Sequence, residues 1–126
     1  MIIGTGIDIV EIERIQKILA KHKIRFLERI LSDDEIKYCA KKSGTAQHIA
    51  GKFAAKESVM KVLGTGWAKG IDWKDMVVGP SHPKGRPEVK LSGKAAEYAK
   101  TMGIRKIYLS ISHSDHYAVA FAVGES

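Results

Sequence analysis

The sequence predicts an α+β domain in which helices pack on a largely antiparallel sheet. Three observations support this fold class. β-Branched residues cluster near both ends of the chain, helical periodicity dominates between them, and turns containing Gly or Pro separate the segments. The predicted order is β-α-α-α-β-β-α-β-β, without the uninterrupted βαβ units that build parallel sheets. With 126 residues the chain can bury one core, so we expect a single domain over residues 1–126.

The first predicted elements are a strand and a basic amphipathic helix. Residues 2–10 are mostly Ile, Val and Gly, and the β-branched residues favour a strand. From Glu11 onward the apolar residues recur at helical spacing. The apolar face of this helix contains Ile12, Ile15 and Leu19. Another face contains Arg14, Lys17 and Lys21.

Two further helices are predicted in the middle of the chain. Ser32 and Glu35 have the spacing of a capping box, which begins a short helix through about Lys41. A longer helix is expected from about Thr45 to Leu63, because this segment is rich in Ala, Lys, Glu and Met and a glycine follows it.

The last third of the chain predicts four strands and one helix. Residues 75–79 and 87–91 are expected strands joined by a turn-rich segment. Ser92 is expected to cap a helix that ends at Gly103. Alternation over residues 107–112 and an apolar segment over 117–123 predict a closing hairpin.

Composition restricts the possible partners and locations. The net charge of +7 favours an anionic partner, such as nucleic acid, a phosphorylated ligand, a membrane surface or an acidic protein. The first residues lack a signal-peptide pattern and no stretch of eighteen apolar residues occurs, so we expect a cytoplasmic protein without a membrane partner. A single cysteine, Cys39, excludes an internal disulfide and is expected to be a packed thiol.

A pair of carboxylates is the main candidate for chemistry. Asp8 interrupts an apolar strand, so it either faces water near the strand end, bonds to a helix N-terminus, or needs a neutralising partner. On the long helix, Glu57 falls on the shoulder of the core stripe, beside the small Ala50 and Ala54. The stripe itself consists of Ile49, Phe53, Met60 and Leu63. Glu57 and Lys61 are spaced as i, i+4, which is also the pattern of an ordinary surface pair.

The carboxylates and the lysine suit magnesium and phosphate. Mg2+ is commonly held by one or two carboxylates together with water and phosphate oxygens. Lys61 would add a point charge for phosphate, or an acid for a leaving oxygen. Gly64-Thr65-Gly66 is either a helix stop or a segment where backbone approaches a ligand closely.

At this point the sequence resembles a known family. Gly6-Ile7-Asp8-Ile9-Val10-Glu11-Ile12-Glu13-Arg14 resembles the N-terminal signature of the bacterial holo-acyl-carrier-protein synthases, the small 4'-phosphopantetheinyl transferases. The segment from Phe53 to Gly66 resembles the second signature of that family. The similarity continues through Gly85-Arg86-Pro87 to the closing hairpin around His113.

The resemblance implies Mg2+-dependent transfer of phosphopantetheine from coenzyme A to a serine of an acyl carrier protein. It implies Mg2+ at Asp8 and Glu57, and phosphate contacts at Lys61. It places coenzyme A along Gly64, Thr65, Gly66 and His113. Lys52 stands where many relatives have arginine, and Trp67 is bulkier than the expected aliphatic residue. Glu57 or a metal-ordered water is the expected base.

The resemblance also implies partners and an assembly. The family is typically a homotrimer with active sites between subunits, which would let His113 act across a boundary from Asp8. Acyl carrier proteins are acidic helical bundles, so the basic helix is the expected docking face. Its docking residues would be Arg14, Lys17, Lys21 and Arg25.

Two alternatives from other functional classes stay open. His113 and His116 are spaced as a permissive zinc pair for hydrolysis, although no further ligands are evident. The basic composition would also fit a nucleic-acid-binding domain, but no stacking platform or recognition motif is recognisable, so no nucleic-acid partner is expected. The remaining histidines, His22, His48 and His82, are interpreted as surface or loop residues.

Overall fold

The structure, a computed structural model, describes residues 1–66, 70–80 and 85–126, and it confirms the predicted order of elements. The elements are β1 (Ile2–Glu11), α1 (Ile12–Ile30), α2 (Asp33–Ala40), α3 (Thr45–Leu63), a 3-10 turn (Trp73–Asp75), β2 (Met76–Pro80), β3 (Pro87–Leu91), α4 (Gly93–Met102), β4 (Lys106–His113) and β5 (Tyr117–Glu125). In the described ranges, no helix is both long and apolar enough to span a bilayer.

The strands form two antiparallel sheets rather than one. In the larger sheet β5 lies in the centre, with β1 on one side and β4 on the other. The register pairs Ile7 with Phe121 and Ser110 with Phe121, so these three residues form one row across the sheet. The hairpin β2–β3 forms a separate two-stranded sheet. The α+β class is confirmed, with helices covering the three-stranded sheet on one side.

Helix α3 crosses the three-stranded sheet diagonally and is buried on most of its surface. Near its start, a Cβ on Gly51 would lie 3.1 Å from the Ile111 side chain of β4. Near its end, the helix meets β1 at Gly6. The predicted core stripe of Ile49, Phe53, Met60 and Leu63 packs in the core, and burial extends beyond it, because Ala50 and Ala54 are fully buried as well. The sheet lies on one side of α3, and α1, α2 and β2 contact it elsewhere.

A buried ion pair connects α2 to α3. The Lys56 ammonium donates to Glu35 Oε1 at 2.8 Å and to the Ile30 carbonyl oxygen at 2.6 Å, and both side chains are almost fully buried. Glu35 also accepts from the backbone N–H groups of Ser32 and Val78. The capping box at Ser32 and Glu35 is confirmed. Sequence reasoning missed the other half of this network, since Lys56 is distant from Glu35 in the chain.

Two local details differ from the expectations. Helix α1 is kinked at His22, whose backbone is non-helical (φ −140°, ψ 41°). Ser92 occupies the N-cap position of α4, but its side chain makes no capping hydrogen bond to the helix. Instead its hydroxyl donates to the Asp75 carbonyl oxygen at 3.5 Å. Cys39 is 1% exposed, which confirms a packed thiol, and burial raises its pKa.

Candidate functional site

Asp8 and Lys61 meet at the β1 edge of the sheet. The Lys61 ammonium donates to the Ile7 carbonyl oxygen at 2.7 Å and to Asp8 Oδ1 at 3.4 Å. The Asp8 side chain is 19% exposed, whereas that of Lys61 is 53% exposed. Asp8 therefore has a neutralising partner, which was one of the three alternatives that its place in an apolar strand left open. Lys61 of the neighbouring helix α3 supplies the neutralising charge, and the Lys61 ammonium remains accessible to a ligand.

Glycines in β1 allow α3 to approach closely enough for this contact. A Cβ on Gly6 would lie 1.9 Å from the Ser58 carbonyl oxygen, and one on Gly4 would lie 2.8 Å from the Val62 carbonyl oxygen. Any side chain at residue 6 would therefore push the helix away from the strand. Glu57 lies on α3 one turn before Lys61 and is half-buried. The absence of a Cβ atom on Gly4 and on Gly6 thus determines how near α3 lies to the strand that carries Asp8.

The donor set at this edge fits magnesium better than a transition metal. In the described part of the chain, no three His, Cys, Asp or Glu side chains lie close enough together to hold a metal ion. Asp8 and Glu57 offer hard oxygen donors from two elements, and further ligands would have to be water or substrate oxygens. Mg2+ is bound in this way, with few protein ligands and several waters or phosphates.

The segment Gly64-Thr65-Gly66, which follows α3, has glycines in left-handed backbone conformations. Gly64 and Gly66 adopt left-handed conformations with φ of 73° and 59°, and among the described residues no atom beyond the chain neighbours would lie within 4 Å of a Cβ on either glycine. The Thr65 hydroxyl donates to the Gly66 carbonyl oxygen at 3.0 Å. The segment is accessible and extends from the Lys61 end of α3. Trp67 lies outside the described residues.

Apart from Asp8 and Lys61, a pocket with a volume of about 200 Å³ lies at the β4 edge of the sheet. Lys52 and the imidazoles of His48 and His113 line it, and none of its described lining residues carries a carboxylate. The other lining residues are Tyr38, Gln47, Gly51, Val78, Gly79, Gly85, Pro87 and Ile111. Its composition suits an anionic ligand with an apolar portion.

Lys52 is held firmly at this pocket. It is 5% exposed, its ammonium donates to the Val78 carbonyl oxygen at 2.5 Å, and it lies 4.7 Å from the centroid of the Tyr38 ring. Burial lowers the pKa of the Lys52 ammonium, and the nearby Cys39 and Glu35 oppose that effect. The sequence placed a cation here but gave no sign that it would be buried.

His48 is the pocket residue that sequence reasoning missed. It is half-buried on α3, rather than a simple surface residue, and its ring lies 5.9 Å from that of His113 and 6.3 Å from that of Tyr38. The available signal was the i, i+4 spacing of His48 and Lys52, which puts both on one face of a helix. His22 is exposed in α1, as expected, and His82 lies outside the described residues.

The Lys52 pocket and the Asp8–Lys61 pair lie on opposite sides of α3 within one chain. Lys52 and Lys61 are nine residues apart, which corresponds to a rotation of about 180° and a rise of about 13 Å. Lys52 and His113 lie at the β4 edge, whereas Asp8 and Lys61 lie at the β1 edge. A single chain therefore does not bring these two groups of candidate residues together.

The basic face of α1 is exposed. Arg14, Lys17 and Lys21 line an open groove of about 740 Å³ that ends at the His22 kink. Arg25 follows beyond the kink and is also exposed. Lys17 lies 3.4 Å from Glu13 in an exposed i, i+4 pair, which contributes little to stability. The face is available for a partner and has a net positive charge.

Comparison with known proteins gives consistent similarities. A family model described as the 4'-phosphopantetheinyl transferase superfamily matches residues 4–122. A holo-[acyl-carrier-protein] synthase of Koribacter versatilis is 46% identical over 125 residues, covering 99% of each chain. The crystal structure of the holo-[acyl-carrier-protein] synthase from Neisseria meningitidis superposes with a TM-score of 0.91 at 30% identity, covering 100% of both chains. The Helicobacter pylori synthase, in complex with coenzyme A, gives a TM-score of 0.84 at 39% identity, covering 96% of this chain and 99% of that one.

Proposed function

The chain belongs to the 4'-phosphopantetheinyl transferase superfamily, and we propose that it transfers 4'-phosphopantetheine from coenzyme A to a serine of an apo-acyl carrier protein. The products are holo-acyl carrier protein and adenosine 3',5'-bisphosphate. The observation that carries this proposal is the pairing of Lys61 with Asp8 beside Glu57, in a chain whose relatives over nearly its full length are synthases of this kind. Residues 1–126 are proposed to act as one domain, and the cytoplasmic location stays a prediction.

Asp8 and Glu57 are the proposed ligands of Mg2+. When bound, Mg2+ supplies charge neutralisation at the pyrophosphate of coenzyme A. Lys61 already lies beside Asp8 with its tip half exposed, so its ammonium can donate to the phosphate oxygens without a large movement. Gly64, Thr65 and Gly66 offer accessible backbone next to it, where the pyrophosphate can approach closely.

The transfer itself exchanges one phosphorus–oxygen bond for another. The carrier serine oxygen forms a bond to the β-phosphorus, and the bond from that phosphorus to the bridging oxygen breaks. The hydroxyl proton goes to Glu57 or to an ordered water. Adenosine 3',5'-bisphosphate leaves with the bridging electron pair, and Lys61 stabilises the charge that develops on it.

A second copy of the chain is proposed to complete the site, within a homotrimer. The support is geometric, because Lys52 and His113 face away from Asp8 and Lys61 in one chain, while coenzyme A needs a phosphate site and a nucleotide site together. A further support is the sheet face turned away from α3, which exposes large apolar side chains. These are Ile7, Ile9, Tyr108, Tyr117 and Phe121.

The acyl carrier protein is proposed to dock on the basic face of α1. Its acidic surface would be steered and held by Arg14, Lys17, Lys21 and Arg25. The same helix follows directly on β1, so a partner bound there lies near the strand that carries Asp8. Carrier docking and phosphate binding are thus linked through one continuous stretch of chain.

Mass spectrometry of the carrier tests the proposal directly. The protein is incubated with an apo-acyl carrier protein, coenzyme A and Mg2+, and the expected result is the mass of one phosphopantetheine added to the carrier. Adding a chelator should abolish the shift, and Mg2+ in excess should restore it. An unmodified carrier under all conditions, with a folded enzyme, would overturn the assignment of the reaction.

The metal assignment has its own test. A folded Asp8→Ala variant is expected to lose transfer activity at ordinary Mg2+ concentrations. If it modified the carrier at the rate of the unaltered protein, Asp8 would not be a metal ligand. Tightly bound zinc in the purified protein, together with hydrolase activity, would instead favour the alternative based on His113 and His116.

A further inference from the structure

The outer edge of strand β2 is bound by side chains instead of by another strand. Val78 pairs with Val89 of β3, and in the part of the chain that the structure describes β2 pairs with no other strand. The Val78 N–H donates to Glu35 Oε2 at 2.9 Å, and the Val78 carbonyl oxygen accepts from the Lys52 ammonium at 2.5 Å. Both backbone groups of Val78 therefore face the helices, as they do at a non-hydrogen-bonded position of an antiparallel pair.

The Glu35 carboxylate is held in one orientation by its other contacts. Glu35 Oε1 accepts from the Ser32 N–H and from the Lys56 ammonium, both at 2.8 Å. The Lys56 ammonium has three protons, and it also donates to the carbonyl oxygens of Ile30 at 2.6 Å and Trp73 at 3.3 Å. Because these contacts fix the ammonium, they also fix the oxygen that accepts from it. The second carboxylate oxygen, Oε2, is thereby directed at β2.

Val78 connects this carboxylate to the cation of the pocket at the β4 edge. Val78 and Lys52 both line that pocket. A lysine carries its charge at the end of a flexible stem of four carbons, so its position depends on what the ammonium contacts. The Val78 carbonyl oxygen holds the Lys52 ammonium, and the bond from the Val78 N–H to Glu35 holds that stretch of β2. A chain of hydrogen bonds thus leads from α2 to the pocket lysine.

We propose that Glu35 is a positioning residue for coenzyme A, which acts through Val78 to fix the Lys52 ammonium. The proposal rests on the proposed function, because it takes coenzyme A as the substrate. Glu35 is 2% exposed and does not line the pocket, so its effect on the ligand is indirect. Lys61 lies on the opposite side of α3 and bonds to β1, outside this chain of hydrogen bonds. Glu35 should therefore affect the KM for coenzyme A and not kcat.

Steady-state kinetics of carrier modification compare Glu35→Gln with Lys56→Met as its matched control. Both variants break the same buried pair and should lose similar stability. In Lys56→Met the carboxylate still accepts from Val78. In Glu35→Gln the amide oxygen must face the Lys56 ammonium, which can only donate, so the amide NH2 faces the Val78 N–H and leaves it without an acceptor. Glu35→Gln should raise the KM for coenzyme A about tenfold, as for one lost hydrogen bond to a charged group. Lys56→Met should change that KM less than about twofold.

A Lys52→Met background tests whether Glu35 acts through the pocket lysine. In that background Glu35→Gln should change the KM for coenzyme A less than about twofold, because the ammonium that it positions is absent. In the otherwise unaltered protein, Glu35→Gln should leave kcat and the KM for carrier within about twofold. An equal rise in KM for Glu35→Gln and Lys56→Met, a rise in neither, or an undiminished effect without Lys52 would overturn the role of Glu35.

Two further measurements keep the result decisive. If Glu35→Gln does not fold, Glu35→Leu with Lys56→Met replaces it, because an apolar pair of similar volume is often tolerated and offers Val78 no acceptor. This double variant should show the same raised KM, and an unchanged KM would again overturn the inference. The transferase proposal survives each of these negative results. A folded, unaltered protein that does not modify the carrier would instead overturn the proposed function, and this inference with it.

Discussion

Gly6→Ala tests how the fold builds the site around Asp8 and Lys61. A Cβ at residue 6 would lie 1.9 Å from the Ser58 carbonyl oxygen and 2.9 Å from Lys61 Cβ. The ordinary carbon–oxygen contact distance is about 3.3 Å, so the strand and the helix would have to separate by about 1.4 Å. The obstacle is helix backbone, which cannot rotate away as a side chain tip can.

The magnitude follows from overpacking and from displacement of the site. Overpacking usually costs about 1–3 kcal/mol, and we expect the upper end or more because backbone must move. For a chain of this size, that corresponds to a decrease in Tm of roughly 10 °C. The shift would also move Lys61 away from Asp8, and a misplacement of about 1 Å can reduce kcat about 100-fold.

Thermal unfolding and the carrier mass assay measure the two effects separately. Gly79→Ala is the control for stability, because a Cβ there would lie within 4 Å of no described atom beyond its chain neighbours, and the backbone is not left-handed. The control should change the Tm by less than about 2 °C. A Gly6→Ala protein with the Tm and kcat of the unaltered protein would refute the close approach of β1 and α3.

Three further predictions concern the buried pair, the pocket lysine and the docking face. Lys56→Met should lower the free energy of unfolding by about 3–5 kcal/mol in urea titration, because it leaves Glu35 charged and buried, and Lys56→Met with Glu35→Gln should recover part of that loss. Because burial lowers the Lys52 pKa and an anion prefers the protonated amine, coenzyme A affinity should fall with rising pH, and the fall should begin below the pH at which an exposed lysine loses its proton. In Lys52→Arg this fall should disappear, since the guanidinium stays charged. A calorimetric pH profile of Lys52→Arg identical to that of the unaltered protein would contradict the role of Lys52. Reversal of Arg14 and Lys21 to Glu should raise the KM for carrier about tenfold and flatten its salt dependence, whereas the same reversal at Lys94 and Lys100 of α4 should leave the KM unchanged.

The sequence predicted the elements well where local patterns determine them. The bounds of α3 agree with the prediction because composition and a following Gly64 act within one segment. The capping box at Ser32 and Glu35 was confirmed for the same reason. A neutralising partner for Asp8 was one of three alternatives that the sequence left open, since a carboxylate in an apolar strand can also face water near the strand end or bond to a helix N-terminus. Glu57 and Lys61 were identified as candidates, but their spacing alone could not say that Lys61 would bond to Asp8.

Contacts between segments that are far apart in the chain could not be predicted from the sequence. The pairing of Lys56 with Glu35 and the burial of Lys52 against Val78 depend on how α2 and β2 pack on α3. Nothing local distinguishes a buried lysine from an exposed one when both lie in a helix rich in Ala. The closeness of His48 to His113 likewise depends on where α3 crosses β4, and helical spacing could only indicate that His48 and Lys52 share a face.

The geometry of α3 also explains why the candidate site residues of a single chain do not form one continuous site. Nine residues separate Lys52 from Lys61, and a helix turns through about 180° over that distance. A ligand that contacts one lysine therefore lies on the opposite side of the helix from the other. Coenzyme A carries phosphate at both its pyrophosphate and its ribose, so one molecule can satisfy both lysines only if they come from two chains. Under the proposed function, assembly is therefore a condition for activity, and dilution that dissociates the subunits should abolish transfer while each chain stays folded.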